Sequence, residues 1–393
     1  MTITTGHLED QPMLPCQRHL FDIPDDVAYL NCAYMSPLMK SAQEAGTAGL
    51  ARKAHPWEIT ADKFFTGAEE FRTTAARLID ASPDDIAIVP SASYGIATAA
   101  RNLPIGKGQN ILMLEEQFPS HYYSWQRRAE ETGAQLKVVA WPDDHDWTVA
   151  VLNSLTEDVA IAALPNVQWT SGGRLDLVRV GEACRKIGAA LVLDLTQSLG
   201  ALPFSVKDVQ PDFAVAASYK WLLGPYSVGL LYVASKWQDG IPLEENWIQR
   251  ANARDFSSLI LYTDDYDAGA RRFDMGERSN FGLLPAAVCA MKQLLEWKID
   301  QISGTAGTLN RQLASSAQEL GFSVPPEDLR APHYLCLRRK AGVPRELPEK
   351  LAREKVFVSV RGTSIRVTPH VYNTTADCDR LISCLKQAVR VSA

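Results

Sequence analysis

The chain has 393 residues, 46% of them hydrophobic and 22% charged, enough to bury a large core in two or three domains. A net charge of −6 without any basic run gives no general attraction to nucleic acid or an anionic membrane, so the partners expected are small molecules and a second copy of the chain. Seven scattered cysteines without a CxxC pair, and no apolar run near the ~20 residues that cross a bilayer, predict a soluble cytoplasmic protein with reduced thiols.

Residues 1–22 read as an irregular arm, polar and without signal-peptide order, with Pro12 and Pro15 as breakers. Apolar residues recur at helical spacing over 57–79, and 85–90 is a short apolar strand. A helix follows at 93–103, a strand at 110–115 and a helix at 120–133. Further strands are predicted at 135–141, 159–165, 189–195, 212–218 and 227–233, with a helix at 177–188. Strands that are apolar throughout and alternate with helices predict an α/β large domain, residues 23–265, whose mainly parallel seven-stranded sheet carries helices on both faces. Beyond it come long amphipathic helices at 286–302 and 305–320. Weaker strands at 333–339, 356–360 and 364–368 and a closing helix at 378–389 complete a small α+β domain, residues 266–393.

In such sheets ligands gather past the carboxyl ends of strands, so the residues that follow each strand carry the functional reading. Ser91, Ala92 and Ser93 follow the first strand at a helix start, where backbone N–H groups and hydroxyls suit a phosphate, although alone they read as a serine N-cap. Phe118 follows the next strand and fits either stacking on a flat ring or the core. His121 stands between a site residue and a surface helix residue, and Trp169 between a pocket wall and the core. Asp194 ends an apolar run with Gln197 three residues on; a carboxylate there can pair with a protonated pyridine nitrogen or cap a turn. Lys220 follows strand 212–218 and precedes Trp221, Leu222 and Leu223. Apolar surroundings disfavour its charge, as an imine-forming amine requires, and the plainer reading is a snorkelling lysine. Ser218 supplies another hydroxyl. Arg366, between Ile365 and Val367, suits a carboxylate, or faces water from an edge strand.

Other chemistries lack their residues. GKG (106–108) is not followed as a phosphate loop requires, no HExxH is present, and no GxSxG elbow occurs, so no metal site and no serine hydrolase are expected.

Taken together, from YLNCAYMSP (29–37) to YNTTADCDRL (372–381), with Asp194 26 residues before Lys220, the chain resembles the class V aminotransferase family of fold-type I pyridoxal-phosphate enzymes, which includes kynureninases and cysteine desulfurases. The resemblance implies pyridoxal 5'-phosphate held by Lys220 as a Schiff base, with Lys220 then moving the proton. It implies Asp194 on the pyridine nitrogen, Gln197 on the ring oxygen, Phe118 against the ring, and Ala92, Ser93 and Ser218 around the phosphate. Arg366 would hold the substrate carboxylate, with Asn31 close by and Trp169 narrowing the pocket. A homodimer with a shared site is implied too: residues 271–281 match the segment that crosses over, so Ser279 would reach the partner's phosphate.

The departures sharpen the expectation. Desulfurases keep a nucleophilic cysteine before the arginine strand, and 358–367 has none. Phe118-Pro119-Ser120 and Ser218-Tyr219-Lys220 are similar to kynureninase, whereas His121 stands where that family has aspartate. The expectation is an amino-acid enzyme that leans to side-chain cleavage or elimination, as a kynureninase-like lyase or hydrolase. Aminotransfer, racemisation and a decayed ligand-binding protein are the alternatives.

Overall fold

In the computed structural model, which describes residues 14–343, 345–361 and 363–391, the sheet of the larger core has seven strands. In chain order the elements run β1 (Ala28–Tyr29), α1 (Lys40–Ala51), α2 (Lys63–Ile79), β2 (Ile86–Val89), α3 (Ala92–Asn102), β3 (Asn110–Leu114) and α4 (Pro119–Thr132). Then come β4 (Gln135–Val139), α5 (Trp147–Ser154), β5 (Val159–Pro165), α6 (Leu177–Ile187), β6 (Ala190–Asp194), α7 (Val206–Val209), β7 (Phe213–Ala217) and β8 (Gly229–Val233).

The strand order is β2-β8-β7-β6-β5-β3-β4, and β8 alone runs antiparallel to its neighbours. The chain leaves β3 outward to β4 and returns on the other side of β3 as β5, so the sheet switches direction between β3 and β5. Alternate side chains serve two cores. Ile86, Ile88, Leu112, Leu114, Leu191 and Leu193 face α2, α5, α6 and α8 (Leu283–Trp297), while Ala87, Val89, Ile111, Met113 and Val192 face α3 and α4. Both faces are covered, which is why these strands read as unbroken apolar runs.

The rest of the chain continues with α9 (Ile299–Glu319), β9 (Leu335–Arg338), α10 (Leu347–Arg353), β10 (Val356–Phe357), β11 (Ser359–Arg361), β12 (Ser364–Val367) and α11 (Thr375–Val391). Strands β11-β12-β9 form an antiparallel sheet whose core includes Leu309, Leu313, Leu351 and Leu385 from α9, α10 and α11. β1 pairs in parallel with β10, so the chain just after the expected arm lies against the C-terminal part. That arm falls partly on residues 1–13, outside the described residues. Its remainder is tied down by Leu14 N–H on Thr305 Oγ1 and Gln17 N–H on the Val371 carbonyl.

Three expectations need correction. The helix expected over 286–302 breaks at Lys298, which takes φ +65°; α8 ends at Trp297 in the main core and α9 runs on to Leu309 and Leu313 in the second core. The helical stretch at 57–79 begins only at Lys63, after a separate 3-10 turn at Pro56–Glu58. The strand expected at 356–360 divides because Val356–Phe357 pairs with β1 and Ser359–Arg361 with β12. Strand β1 and helices α1 and α5 were not anticipated. Among the described residues no helix is long and apolar enough to cross a membrane, and no group of three or more His, Cys, Asp or Glu could hold a metal.

Candidate active site

The carboxyl ends of β2, β3, β5, β6 and β7 open on one cavity of about 200 Å³, lined by Ser91, Ala92, Ser93, Phe118, Trp169, Asp194, Gln197 and Lys220 among others. A second cavity of about 320 Å³ adjoins it through Phe118, Trp169, Gln197, Tyr219, Lys220 and Tyr226, and adds Tyr34, Arg361 and Arg366.

Lys220 lies at the floor, 7% exposed. Burial pushes its amine down to about 8, with the Arg366 charge adding to the effect while Asp194 and Cys32 oppose it. Its Nζ sits 5.6 Å from the Phe118 ring centroid and 5.4 Å from that of Tyr219. The turn beneath it is tight: Leu223 takes φ +54° and donates its N–H to the Lys220 carbonyl at 3.1 Å. Gly200 packs against the same turn at φ +100°, where a Cβ would collide with the Trp221 carbonyl oxygen.

Asp194 closes β6, and its Oδ1 accepts the Thr196 N–H at 2.9 Å. Gln197 is fastened at both ends: its Oε1 accepts Trp221 Nε1 at 3.0 Å, and its Nε2 donates to the Ala33 carbonyl at 3.2 Å. One Nε2 hydrogen remains for a ligand. His333, wholly buried and pushed down to about 4 by that burial, meets the Gln197 carbonyl at 2.8 Å and supports this loop from behind.

At the other end of the cavity Ser91 caps α3, accepting the Tyr94 N–H at 3.2 Å, and lies 2.8 Å from the Ser93 hydroxyl. The first amides of a helix have no intrahelical acceptor, so those of Ala92 and Ser93 are suited to an anion. Gly95 lets this helix start press on the sheet, since a Cβ there would lie 2.6 Å from Val215 Cγ2.

Arg366 sits in the middle of β12 and is 3% exposed. Its Nη1 donates to the Trp169 carbonyl at 3.1 Å, its Nε has no partner, and among the described residues no carboxylate lies within ion-pair distance. Trp169 is itself fixed, donating Nε1 to the Glu116 carbonyl at 2.6 Å and meeting Phe118 edge-on at 5.4 Å.

The structure thus brings together Ala92, Ser93, Phe118, Trp169, Asp194, Gln197, Lys220 and Arg366. Three expected residues lie off these cavities. The Ser218 hydroxyl donates to the Pro225 carbonyl at 2.6 Å, the Asn31 amide oxygen accepts the Ser359 hydroxyl at 2.7 Å, and Ser279 donates to the Phe64 carbonyl beside a separate cleft. His121 is no surface residue; it is 1% exposed, neither ring nitrogen has a partner, and burial pushes its pKa down to about 4. Sequence reasoning missed Thr196, Tyr226, Ser227 and Arg361. The pair Tyr226–Ser227 had one signal, the preceding Gly224-Pro225, and Ser227 is turned into place at φ +66°.

The residues present fit one kind of cofactor. A buried amine with lowered pKa faces a carboxylate and a flat aromatic wall, and a helix start suited to phosphate lies at the opposite end.

The sequence matches the family Aminotransferase class-V over residues 48–381. It is 26% identical over 327 residues to the uncharacterized aminotransferase YcbU of Bacillus subtilis (strain 168), covering 83% of this chain and 84% of the relative. It is 29% identical over 375 residues to a kynureninase of Bacillus anthracis, covering 90% and 83%. The apo cysteine desulfurase of Thermococcus onnurineus NA1 superposes with a TM-score of 0.81 at 17% identity, covering 97% of this chain and 100% of that one, a likeness of fold. The chain therefore belongs to the class V aminotransferase family, has the fold of the fold-type I pyridoxal-phosphate enzymes, and takes pyridoxal 5'-phosphate as its cofactor.

Proposed function

We propose that the protein acts on the α-amino group of an amino acid and cleaves or eliminates a group of its side chain. When bound, the cofactor supplies an electron-accepting ring that stabilises negative charge at the substrate's reacting carbon. Lys220 is the residue that binds it and then holds or moves a proton at Nζ. A pKa near 8 leaves about a tenth of the amine neutral at pH 7, so it serves in both states. Asp194 keeps the pyridine nitrogen protonated, Gln197 donates to the ring oxygen, and Ala92 and Ser93 hold the phosphate. Ser218, whose hydroxyl already serves Pro225, braces the turn around Lys220. Arg366 takes the α-carboxylate, with Asn31 holding the neighbouring Ser359 strand in place.

The observation that carries this reading is the pairing of a buried Lys220, its pKa lowered to about 8, with a buried Arg366 that among the described residues has no carboxylate partner. Both point to a substrate bearing amine and carboxylate on one carbon. Among the described residues no cysteine lines either cavity, which favours side-chain cleavage without persulfide chemistry. The kynureninase relative supports the same direction. Aminotransfer to a keto acid is the second reading, favoured by the YcbU relative. A second subunit completes the site: the cleft beside Ser279 and the exposed Ile260, Leu261 and Tyr262 are the surfaces that meet it.

The test is a panel of amino acids incubated with purified protein, with and without a keto-acid acceptor. Turnover without acceptor supports cleavage. Strict dependence on the acceptor, with formation of its amino acid, overturns cleavage in favour of aminotransfer.

A further inference from the structure

Strand β11 sets a second arginine beside Arg366. In the β11–β12 pairing Ser359 lies opposite Arg366 and Arg361 opposite Ser364, so Arg361 and Arg366 are diagonal neighbours on one face of the sheet. The other face carries Val360 and Ile365, which pack into the second core. Both arginines line the second cavity, which Lys220 also lines. Arg338, opposite Ser364 from β9 and so on the same face, is already engaged: its Nε donates to Ser364 Oγ at 3.0 Å, and its guanidinium lies 4.2 Å from the Trp141 ring centroid. Arg361 is not. Its Nη1 donates to the adjacent Val360 carbonyl at 3.0 Å, and among the described residues no carboxylate lies within ion-pair distance of it. Tyr34, Tyr219 and Tyr226 add hydroxyls to the cavity, and among the described residues no Asp or Glu lines it. Like charges set side by side on a sheet repel, and no protein anion offsets them here. Two guanidinium groups and an amine make the cavity electropositive, and one ligand carboxylate engages only one of the two forks.

We propose that the amino acid taken by this site carries a second acid group at the end of its side chain, which Arg361 binds while Arg366 holds the α-carboxylate. The proposal rests on the role given to Arg366 above. Arg366 is buried and Arg361 exposed, so the two forks lie at different depths. The α-carboxylate, next to the reacting carbon, goes to the inner fork and the side-chain acid to the outer one. An exposed arginine gains less from an ion pair than a buried one, so Arg361 contributes discrimination more than raw affinity. A neutral side chain of the same length leaves the outer fork to water, whereas an acidic one gives it a planar, two-point partner.

The experiment measures binding, not turnover. Holoenzyme is titrated at constant ionic strength with succinate and glutarate, and with butyrate and valerate, which have the same chains but one carboxylate. Binding is read from the cofactor absorbance. These ligands lack an amine and undergo no chemistry, so the outcome does not depend on whether the enzyme cleaves or transfers. Wild type is expected to bind the dicarboxylates about tenfold more tightly than the monocarboxylates. In Arg361→Met that preference is expected to fall below about twofold, through loss of dicarboxylate affinity alone, and Arg361→Lys should keep part of it. Arg366→Met should weaken both classes. Equal binding of the two classes in wild type, or a preference that persists in Arg361→Met, overturns the proposal and leaves Arg361 a solvated surface residue. The two levels of the argument separate: if Arg366→Met weakens neither class, the assignment of Arg366 itself falls, whereas losses in Arg366→Met without any preference in wild type overturn only the second acid group.

Discussion

Arg366 Nη1 donates to the main-chain carbonyl of Trp169 at 3.1 Å, and this bond, rather than an ion pair, fixes the guanidinium in the wall of the second cavity. A carbonyl orients the fork without neutralising it. The charge is kept for a ligand, and the unpartnered Nε adds a donor. Replacing Arg366 with alanine is expected to raise KM for the amino acid by about 10- to 100-fold, the worth of a charge-assisted hydrogen-bond pair. Cofactor occupancy, read by absorbance, is expected to stay intact. Arg366→Lys recovers little, because an ammonium cannot present the same planar pair of donors.

Lys220 gives a pH prediction. An amine attacks an aldehyde only when neutral, and burial lowers the Lys220 pKa from 10.5 to about 8. The rate at which apoprotein captures the cofactor is therefore expected to climb about tenfold per pH unit below 8 and to level off above it. Stopped-flow absorbance across pH 6–10 (roughly two units either side of the midpoint) measures this. Arg366 adds to the lowering, so Arg366→Met should move the midpoint upward. A midpoint near the ordinary lysine value in wild type contradicts the burial argument.

Asp194 and Lys220 were legible because each follows an apolar run that could only be an interior strand, and a parallel sheet places such residues at one edge. Arg366 was legible from its apolar neighbours. His121 was not: SHYYSWQRR is a polar stretch, and only the packing of the first turn of α4 on the sheet encloses that one side chain. Ser218 and Asn31 show the converse: the Pro225 carbonyl and the Ser359 hydroxyl, seven and 328 residues away, engage their polar groups, partners that no local pattern announces. The break at Lys298 had no glycine or proline to announce it, because two separate cores, not local propensity, divide the helix.

Gly200 tests the turn that seats Lys220. At φ +100° with the Trp221 carbonyl where a Cβ would stand, Gly200→Ala combines backbone strain with a steric clash and is expected to cost about 1–3 kcal/mol. Urea unfolding of the apoprotein reads the loss. The clash pushes on the residue after Lys220, so cofactor affinity should fall with stability, whereas alanine at Gly304 inside α9, where nothing lies within 4 Å, should raise stability by up to about 1 kcal/mol and leave cofactor affinity unchanged.

Asp274 is the last test, and it links stability to the segment bearing Ser279. The carboxylate is wholly buried. Its Oδ2 pairs with Arg72 and, at 3.0 Å, with Arg278 Nε, and its Oδ1 accepts the Ile88 N–H from β2 at 2.8 Å. Met275 N–H returns to the Ile88 carbonyl at 2.9 Å, so residues 274–275 are sewn to the strand that leads to Ser91. Asp274→Asn keeps the shape but leaves two buried guanidinium groups sharing a neutral amide, which is expected to cost about 3–5 kcal/mol. Burial already lowers the Arg278 pKa against the opposing pull of Asp274, so this guanidinium tolerates the loss least. Unfolding by urea measures the stability. If Ser279 serves a neighbouring subunit, the same substitution should weaken association, seen as a shift toward monomer in sedimentation. A variant as stable and as associated as wild type would mean that the buried carboxylate does not organise this segment.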